Sequence, residues 1–299
     1  MSLIVSAIGQ GLLWALLGVG LYISFRILNF ADMSVEGTFP MGAAVSVAAI
    51  THGMSPLVSI LLAFGAGLLA GMVTGLLYTK GNIPSLLAGI LVMTAAYSVN
   101  LRIMGKSNIS LLGKQTIFSN SFLRSLPKYF DSVTVGFIVI AVITILLILF
   151  LQTDFGQAFI ATGDNPNMAK SMGIHTDSMT IFGLMLSNGL VSVSGALVAQ
   201  NNGYSDVNMG IGIIVAAMAA IIIGEVVFGD LTLNQRLVAV TLGSIIYRLI
   251  ILAVLTMGFS ANDLNLTSSI VLTLFMVLPT LEKRFRIRKT LVKGMKKDE

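Results

Sequence analysis

Seven polar side chains lie inside long apolar stretches of this sequence, where they are candidates for binding an ion or a charged solute. They are Asp32, Glu36, Tyr97, Asn100, Asn188, Glu225 and Arg248. Inside a membrane, charged side chains are costly and normally face the protein interior or a water-filled path. If the apolar stretches cross a membrane, these seven residues are therefore the candidate lining of a translocation path.

The two acids nearest the N-terminus have a spacing that allows two interpretations. Asp32 and Glu36 stand four residues apart, so on a helix they share one face. They also fall where a helix should begin, and the positive end of the helix dipole favours anions there. They either cap a helix entrance in the headgroup region or line a discontinuous helix beside the path, as in many transporters.

A third acid and an arginine would form a buried ion pair if the chain bends between them. Glu225 lies near the end of one apolar run, and Arg248 lies about twelve residues into the next, roughly 18 Å along a helix. The two charges meet only if the chain around Gly224 is bent into the membrane. The sequence leaves both arrangements open.

The elements that must position these groups follow from composition. Apolar residues make up 56% of the 299 and charged residues only 10%, against about 25% charged in soluble chains. About 20 mostly apolar residues cross roughly 30 Å of hydrocarbon. The qualifying stretches are residues 3–25, 33–50, 56–79, 83–104, 133–152, 179–201, 207–228, 237–259 and 264–281. We predict an all-α, polytopic membrane protein with about nine spans, some of them broken helices.

The charge distribution predicts the orientation of these spans. Eight of the eighteen basic residues lie in a C-terminal tail, residues 282–299, and basic residues favour the cytoplasmic side. With nine spans the termini lie on opposite sides, so we expect the N-terminus outside and the C-terminus inside. Asp32 then lies at the cytoplasmic edge, with Glu36 about one turn further in. The basic tail indicates membrane lipid, and not nucleic acid, as its partner.

One long external loop, residues 105–131, separates the fourth and fifth predicted spans. It carries the basic residues Lys106, Lys114, Arg124 and Lys128. Two interpretations stay open: a solvated loop, or a basic docking surface for an acidic extracellular partner.

A cytoplasmic segment, residues 153–178, is the other long stretch outside the predicted spans. An Asn-Pro pair at 165–166 is a turn signal between two short helices. Phe155, Phe159, Met168 and Met172 would line one face of these helices. That face would press on the underside of the protein or on another subunit.

The third span carries a double GxxxG pattern at Gly67, Gly71 and Gly75. Small residues at this spacing let a second helix approach backbone to backbone. We favour packing within the chain over a subunit interface.

The residues needed for the usual catalytic chemistries are missing. With no cysteine there is no thiolate, disulfide or cysteine-based metal site. The two histidines are far apart, and no phosphate-binding loop or hydrolase motif occurs. We therefore predict no metal, no cofactor and no enzyme activity, so that any ATP would be hydrolysed by another chain.

Three sequence blocks, in this order, resemble the permease subunits of ATP-binding-cassette importers of the branched-chain amino acid and ribose type. They are "NFADMSVEGTF", "ATGDNPNMAKSMGI" and "IIIGEVVFGD". The resemblance covers most of the chain, and the first block is similar to a bacterial subgroup for aromatic amino acid (tryptophan or tyrosine) uptake. A permease domain would then span residues 1–281, in a multi-pass protein of the bacterial cell membrane.

The resemblance implies a division of labour among partners. A cytoplasmic ATP-binding subunit would receive the 153–178 segment, and an extracellular solute-binding protein would dock on the basic outer loop. A second permease copy, as a homodimer, would complete the path. The implied contacts with the ATPase are Phe159, Ala161, Gly163, Asp164, Asn165, Ala169 and Gly173.

Two other functions are weighed against the importer. An ion-coupled secondary transporter would bind its ion or proton at Asp32, Glu36 or Glu225. A membrane scaffold or receptor would carry no solute at all. The first differs from the importer in its energy source, and the second in having no flux.

Overall fold

The computed structural model describes residues 2–119, 127, 129–229, 231–259 and 263–277. Within them the helices are α1 Ser2–Tyr22, α2 Val35–Thr51, α3 Pro56–Thr79, α4 Ser85–Met104, α5 Phe130–Leu151, α6 Asp154–Asp164, α7 Pro166–Ser171, α8 Thr176–Asn202, α9 Ile213–Phe228, α10 Leu233–Thr256 and α11 Leu264–Val277. A π-helical stretch, Ile23–Ile27, continues α1, and short 3₁₀ turns occupy Ile117–Ser119 and Val207–Gly210.

Seven helical stretches among the described residues are long and apolar enough to cross a membrane. The two shorter apolar helices, α2 and α11, fall where two further spans were predicted. The expectation of an all-α, polytopic membrane fold is therefore confirmed. The count of nine spans and the orientation of the termini stay predictions.

The α8 helix lies at the centre of the bundle and packs against α1, α2 and α3. Its contact with α3 runs along the glycine pattern: a Cβ built on Gly67 would lie 2.6 Å from the Cβ of Ser192, and one on Gly71 would lie 2.7 Å from the Cα of Met185. Ser192 also donates a hydrogen bond across the contact to the carbonyl of Ala63, at 2.6 Å. These glycines therefore let α3 pack closely on α8 within one chain, as predicted.

The chain between α1 and α2 returns into the bundle without forming a helix. After the π-helical stretch, residues 28–34 run in a largely irregular path in which Asn29 has a φ of 53°. Asp32 then meets Asn188, which lies about 18 Å along α8 from its first residue. The expectation that Asp32 lies at the cytoplasmic edge is therefore wrong, because α2 begins inside the bundle and runs alongside the second half of α8.

A second irregular segment precedes α9 and contacts α2. It covers residues 207–212 and follows β2, Tyr204–Asp206, which pairs antiparallel with β1, Asn108–Ser110. Pro40, inside α2, has no N–H to donate to the carbonyl of Glu36. Gly210 packs against that carbonyl so closely that a Cβ would clash with it. Proline in one helix and glycine in the facing segment together bring the two broken elements into contact.

Candidate functional site

A cavity of about 230 Å³ lies where these broken elements meet α4. Three of the predicted path residues line it, namely Glu36 from α2 and Tyr97 and Asn100 from α4. Residues 207–211 close another side. We call it the Glu36 cavity. The structure thus brings together residues that lie up to 64 positions apart in the predicted set (Glu36 to Asn100).

Glu36 connects α2 to the start of α9. Its Oε1 accepts a hydrogen bond from the backbone N–H of Gly212 at 3.1 Å. Gly212 is the N-cap residue of α9, with a φ of 75° that favours glycine. A carboxylate at this position is stabilised by the free N–H groups and by the positive end of the helix dipole. Glu36 therefore caps a helix, but the helix is α9 and not its own.

The α4 wall of the cavity is polar although it lies on the outside of the described bundle. Tyr97 is 47% exposed, and its neighbours Thr94 and Ser98 are exposed as well. Asn100 is fully buried and donates to the carbonyl of Gly37 at 3.2 Å, while its Oδ1 has no partner among the described residues. Hydroxyl groups on an exposed helix face suit a protein contact or water better than lipid.

Asp32 and Asn188 form a separate, buried network. The Asn188 amide donates to Asp32 Oδ2 at 2.8 Å, and Ser34 donates to Asp32 Oδ1 through its backbone N–H at 2.9 Å and through its hydroxyl. Thr38 donates to Asn188 Oδ1 at 2.8 Å. Asp32 is only 3% exposed. Its hydrogen bonds to Ser34 and Asn188 join the start of α2 to α8. Neither Asp32 nor Asn188 lines the Glu36 cavity.

The charged pair left open by the sequence does not form. Glu225 instead makes an ion pair with Arg26, at the end of the π-helical stretch. The guanidinium of Arg248 lies over the ring of Trp14, 3.7 Å from its centroid. Glu225 and Arg248 choose other partners because α9 stays helical through Gly224, whose neighbours are backbone atoms of α10 at Ala239 and Val240.

The 153–178 segment, predicted to be cytoplasmic, folds as the short helices α6 and α7, joined at Asn165. The side chain of Asn165 caps α7 by accepting from the N–H of Met168 at 3.1 Å. A Cβ on Gly163 would lie 2.7 Å from the carbonyl carbon of Ile27, so Gly163 seats α6 against the end of the first membrane-crossing stretch. Gly173, with a φ of 85°, ends the pair of helices.

The apolar residues of this segment differ in burial. Phe159 is 1% exposed, whereas Phe155, Met168 and Met172 are exposed, although the rings of Phe155 and Phe159 both pack on Phe150. Ala169 is also buried and Ala161 is partly buried, while Asp164 is exposed. The expectation that Phe159 presents itself to another subunit is wrong, because the ring fills the space above Gly183.

Two of the four basic candidates of the 105–131 loop lie among the described residues. Lys106 and Lys114 are exposed, beside β1 and its pairing with β2. The other two basic candidates, Arg124 and Lys128, lie outside the described residues. The loop is tied down before that point, since Gln200 of α8 accepts from the N–H of Ile117 at 3.0 Å.

Sequence reasoning missed the residues that shape the site without being charged. Ser34 and Thr38 complete the buried network, and Gly210 brings the 207–212 segment onto α2. Pro40 inside an apolar run was the available signal, because a helix with an interior proline leaves a carbonyl free. Arg26, the partner of Glu225, carried no signal beyond its charge.

Known proteins similar to this chain give the site its context. Residues 3–279 match the family described as "Branched-chain amino acid transport system / permease component". The "Tyrosine transport system permease protein" of Clostridioides difficile is 42% identical over 276 residues, covering 92% of this chain and 91% of the relative. The "Autoinducer 2 import system permease protein LsrC" of Yersinia enterocolitica is 28% identical, over 65% of this chain and 53% of that protein.

A solved structure supports the fold independently. A chain of PsaBC from Streptococcus pneumoniae, determined in complex with Fab, superposes with a TM-score of 0.50 and 18% identity, covering 91% of this chain and 89% of that one. At this identity the likeness speaks for the fold alone. The family match covers almost the whole sequence, and it agrees with the resemblance seen in the three motif blocks. This chain belongs to the branched-chain amino acid transport permease family, as a membrane-embedded permease subunit of an ATP-binding-cassette importer.

Proposed function

We propose that this chain forms the translocation path for an amino acid with an aromatic side chain, and that the Glu36 cavity is part of that path. The observation that carries the proposal is the cavity itself. It unites a carboxylate, a phenol and a buried amide at the junction of two broken elements. Transporters commonly place their solute sites at such breaks.

The chemistry of the cavity suits an amino acid. Glu36 supplies a negative charge for an ammonium group, and the ring of Tyr97 supplies an aromatic surface. The relative named as a tyrosine transport permease, similar over nine-tenths of both chains, supports an aromatic solute over a branched-chain one.

We also propose how the chain is oriented in the membrane and how it contacts its partner proteins. Nine spans, with the N-terminus outside and the C-terminus inside, would place α6 and α7 in the cytoplasm. There the exposed residues Asp164, Asn165, Met168 and Met172 would contact the ATPase subunit, while Phe159 and Gly163 fix the segment to the bundle. The basic outer loop would meet an acidic solute-binding protein, a contact that mainly sets docking register and rate.

A second copy of the chain would cover the polar face of α4. Tyr97 and Ser98 lie exposed on that face with hydroxyl groups that are poorly suited to hydrocarbon, whereas the Thr94 hydroxyl donates to the backbone carbonyl of Ile90 at 2.9 Å. In a homodimer Tyr97 and Ser98 would face either the partner or the water-filled path between the two chains. The same face of α4 would then bound the Glu36 cavity from outside.

The contacts of the acids also argue against the ion-coupled secondary transporter that the sequence left open. Asp32 accepts hydrogen bonds on both oxygens, and Glu225 is paired with Arg26. Glu36 alone faces a cavity, and one of its oxygens already caps α9. A coupling-ion site requires several oxygens directed at one point, and the three acids do not converge.

The test is reconstitution in proteoliposomes with the ATPase subunit and the solute-binding protein. We expect uptake of tyrosine or tryptophan that requires ATP and the loaded binding protein and is insensitive to collapse of ion gradients. Tyr97→Leu should lower uptake while leaving the melting temperature nearly unchanged, since exposed substitutions usually change stability by about 0.5 kcal/mol or less.

Tyr204→Leu is the matched control, because that side chain is 44% exposed and lies outside the cavity. At saturating binding protein it should transport like the wild type. Uptake driven by an ion gradient without ATP would establish the secondary transporter instead. Absence of flux for every amino acid tried would reject the importer for this solute class.

A further inference from the structure

A second cavity lies on the other side of the 207–212 segment. It holds about 130 Å³ and is bounded by α1, α9, α10 and α11. Trp14, Arg248, Asn265 and Ser268 supply its polar and aromatic lining. Ile211 lines this cavity and the Glu36 cavity alike, so the two are neighbours separated by one strip of backbone.

Arg248 has no acidic partner in this cavity among the residues that the structure describes. Its Cζ lies over the ring of Trp14, 3.7 Å from the ring centroid, and its Nε is buried with no hydrogen-bond acceptor among the described residues. The ion pairs in the described part of the chain are Arg26 with Glu225 and Lys80 with Asp177. A cation inside a membrane protein is costly unless something balances it.

The guanidinium and the aromatic ring in this cavity favour a carboxylate as the ligand. A guanidinium offers a planar fork of N–H donors that matches a carboxylate, and stacking on an aromatic ring fixes the orientation of that fork. Asn265 lines the same cavity, and its Oδ1 would lie 3.3 Å from a Cβ built on Gly212. The volume suits a carboxylate with its attached carbon better than a whole aromatic amino acid.

We propose that Arg248 binds the α-carboxylate of the transported amino acid. This rests on the proposed function, because it takes the solute to be an amino acid. Because the ammonium group is attached to the same carbon as the carboxylate, it stays on the Arg248 side of Ile211, so Arg248 and Glu36 act at separate positions along the path. Trp14 is a positioning residue that holds the guanidinium plane.

The sequence contains its own reporter for this site. Trp14 is the one tryptophan of the 299 residues, and it touches the proposed binding group. Acetate should change the fluorescence of the purified full-length permease in lipid nanodiscs in a saturable way, with excitation at wavelengths where tyrosine does not absorb. Acetamide, which has the same shape without the charge, should leave the fluorescence unchanged. An equal response to both compounds would overturn the proposal.

Variants of Arg248 distinguish a role in binding the carboxylate from a purely structural role of its charge. Arg248→Gln should weaken the acetate response by about tenfold or more, as expected for loss of a hydrogen bond to a charged group, whereas Arg248→Lys should retain part of it. Arg102→Gln removes an exposed arginine at the end of α4 and should respond like the wild type. A wild-type acetate response in Arg248→Gln would place the anion elsewhere and reject the site.

The reconstituted importer distinguishes failure of this inference from failure of the proposed function. If the wild-type complex imports tyrosine and Arg248→Gln imports it at the same rate, the inference is wrong and the function stands. If the wild-type complex imports no amino acid although acetate still binds at Trp14, the α-carboxylate assignment fails together with the proposed function. Slow import by Arg248→Gln, partly restored in Arg248→Lys, is the expected result.

Discussion

The close contact of α6 with the end of the first membrane-crossing stretch predicts how far α6 must move when Gly163 is replaced. Changing Gly163 to Ala adds a Cβ that would lie 2.7 Å from the carbonyl carbon of Ile27 and 2.9 Å from the Cα of Leu28. Ordinary van der Waals contact begins at 3.4 Å. The Cβ would also overlap the carbonyl oxygen of Ile27, which lies closer still, so α6 must move by well over 0.7 Å (3.4 − 2.7 Å), because the atoms it meets are backbone.

The energy of this change is a balance of two effects. Forcing an extra methyl group into a packed contact costs about 1–3 kcal/mol, while replacing glycine by alanine in a helix gains about 1 kcal/mol at most. Because the Cβ would overlap a backbone oxygen, the cost lies at the upper end of that range, and the net cost is about 2 kcal/mol. It changes the ratio of seated to displaced α6 by a factor of roughly 30. We expect the amount of solute imported per ATP hydrolysed to fall, by at most that factor, since the loss depends on the fraction of α6 that is displaced.

The assay measures import and ATP hydrolysis together in proteoliposomes, with the melting temperature of the detergent-purified complex as the measure of folding. Gly65→Ala is the control, since it makes the same chemical change on α3 where a Cβ would meet no atom within 4 Å. It should keep the wild-type ratio. If Gly163→Ala also keeps that ratio, the seat of α6 on Ile27 does not transmit motion and the reasoning is refuted.

Three further predictions concern the packing and polar contacts of the bundle. Gly71→Ala should destabilise by about 1–3 kcal/mol by thermal melting, because its Cβ meets α8 backbone, whereas Gly65→Ala should not; equal melting would contradict the close contact. Asn188→Ala should cost about 2–3 kcal/mol, because it removes a donor from a buried carboxylate, and a neutral effect would argue against that network. Exchanging Arg26 and Glu225 should restore the stability lost by either reversal alone, about 1 kcal/mol or less for a partly exposed pair.

Much of the fold followed from the sequence because hydrocarbon imposes a simple rule. A stretch of about 20 apolar residues must be helical there, since no water is available for its backbone groups. The helices of the described residues accordingly fall on the predicted spans, and the three motif blocks led to the right family. The GxxxG pattern of α3 was also interpreted correctly, because only a close helix contact needs glycine at that spacing.

The candidate site was predictable only in part. Glu36, Tyr97 and Asn100 were selected as polar residues in apolar spans, and they share one cavity. Asp32 and Asn188 were selected by the same rule, yet they bind each other. Polarity inside a span shows that a side chain must find a partner. It does not show whether the partner is a neighbouring side chain or a solute.

What the sequence determined by itself is the class of protein, the places of its helices and the set of side chains that hydrocarbon could not accept. Only the tertiary structure decided the pairing of those side chains, because pairing depends on depth and on helix neighbours. Glu225 meets Arg26, Arg248 meets Trp14, and Glu36 caps α9. For Glu36, the physical reason is the return of residues 28–34 into the bundle. That path shifts α2 along α8, and a one-dimensional hydropathy pattern carries no information on such a shift.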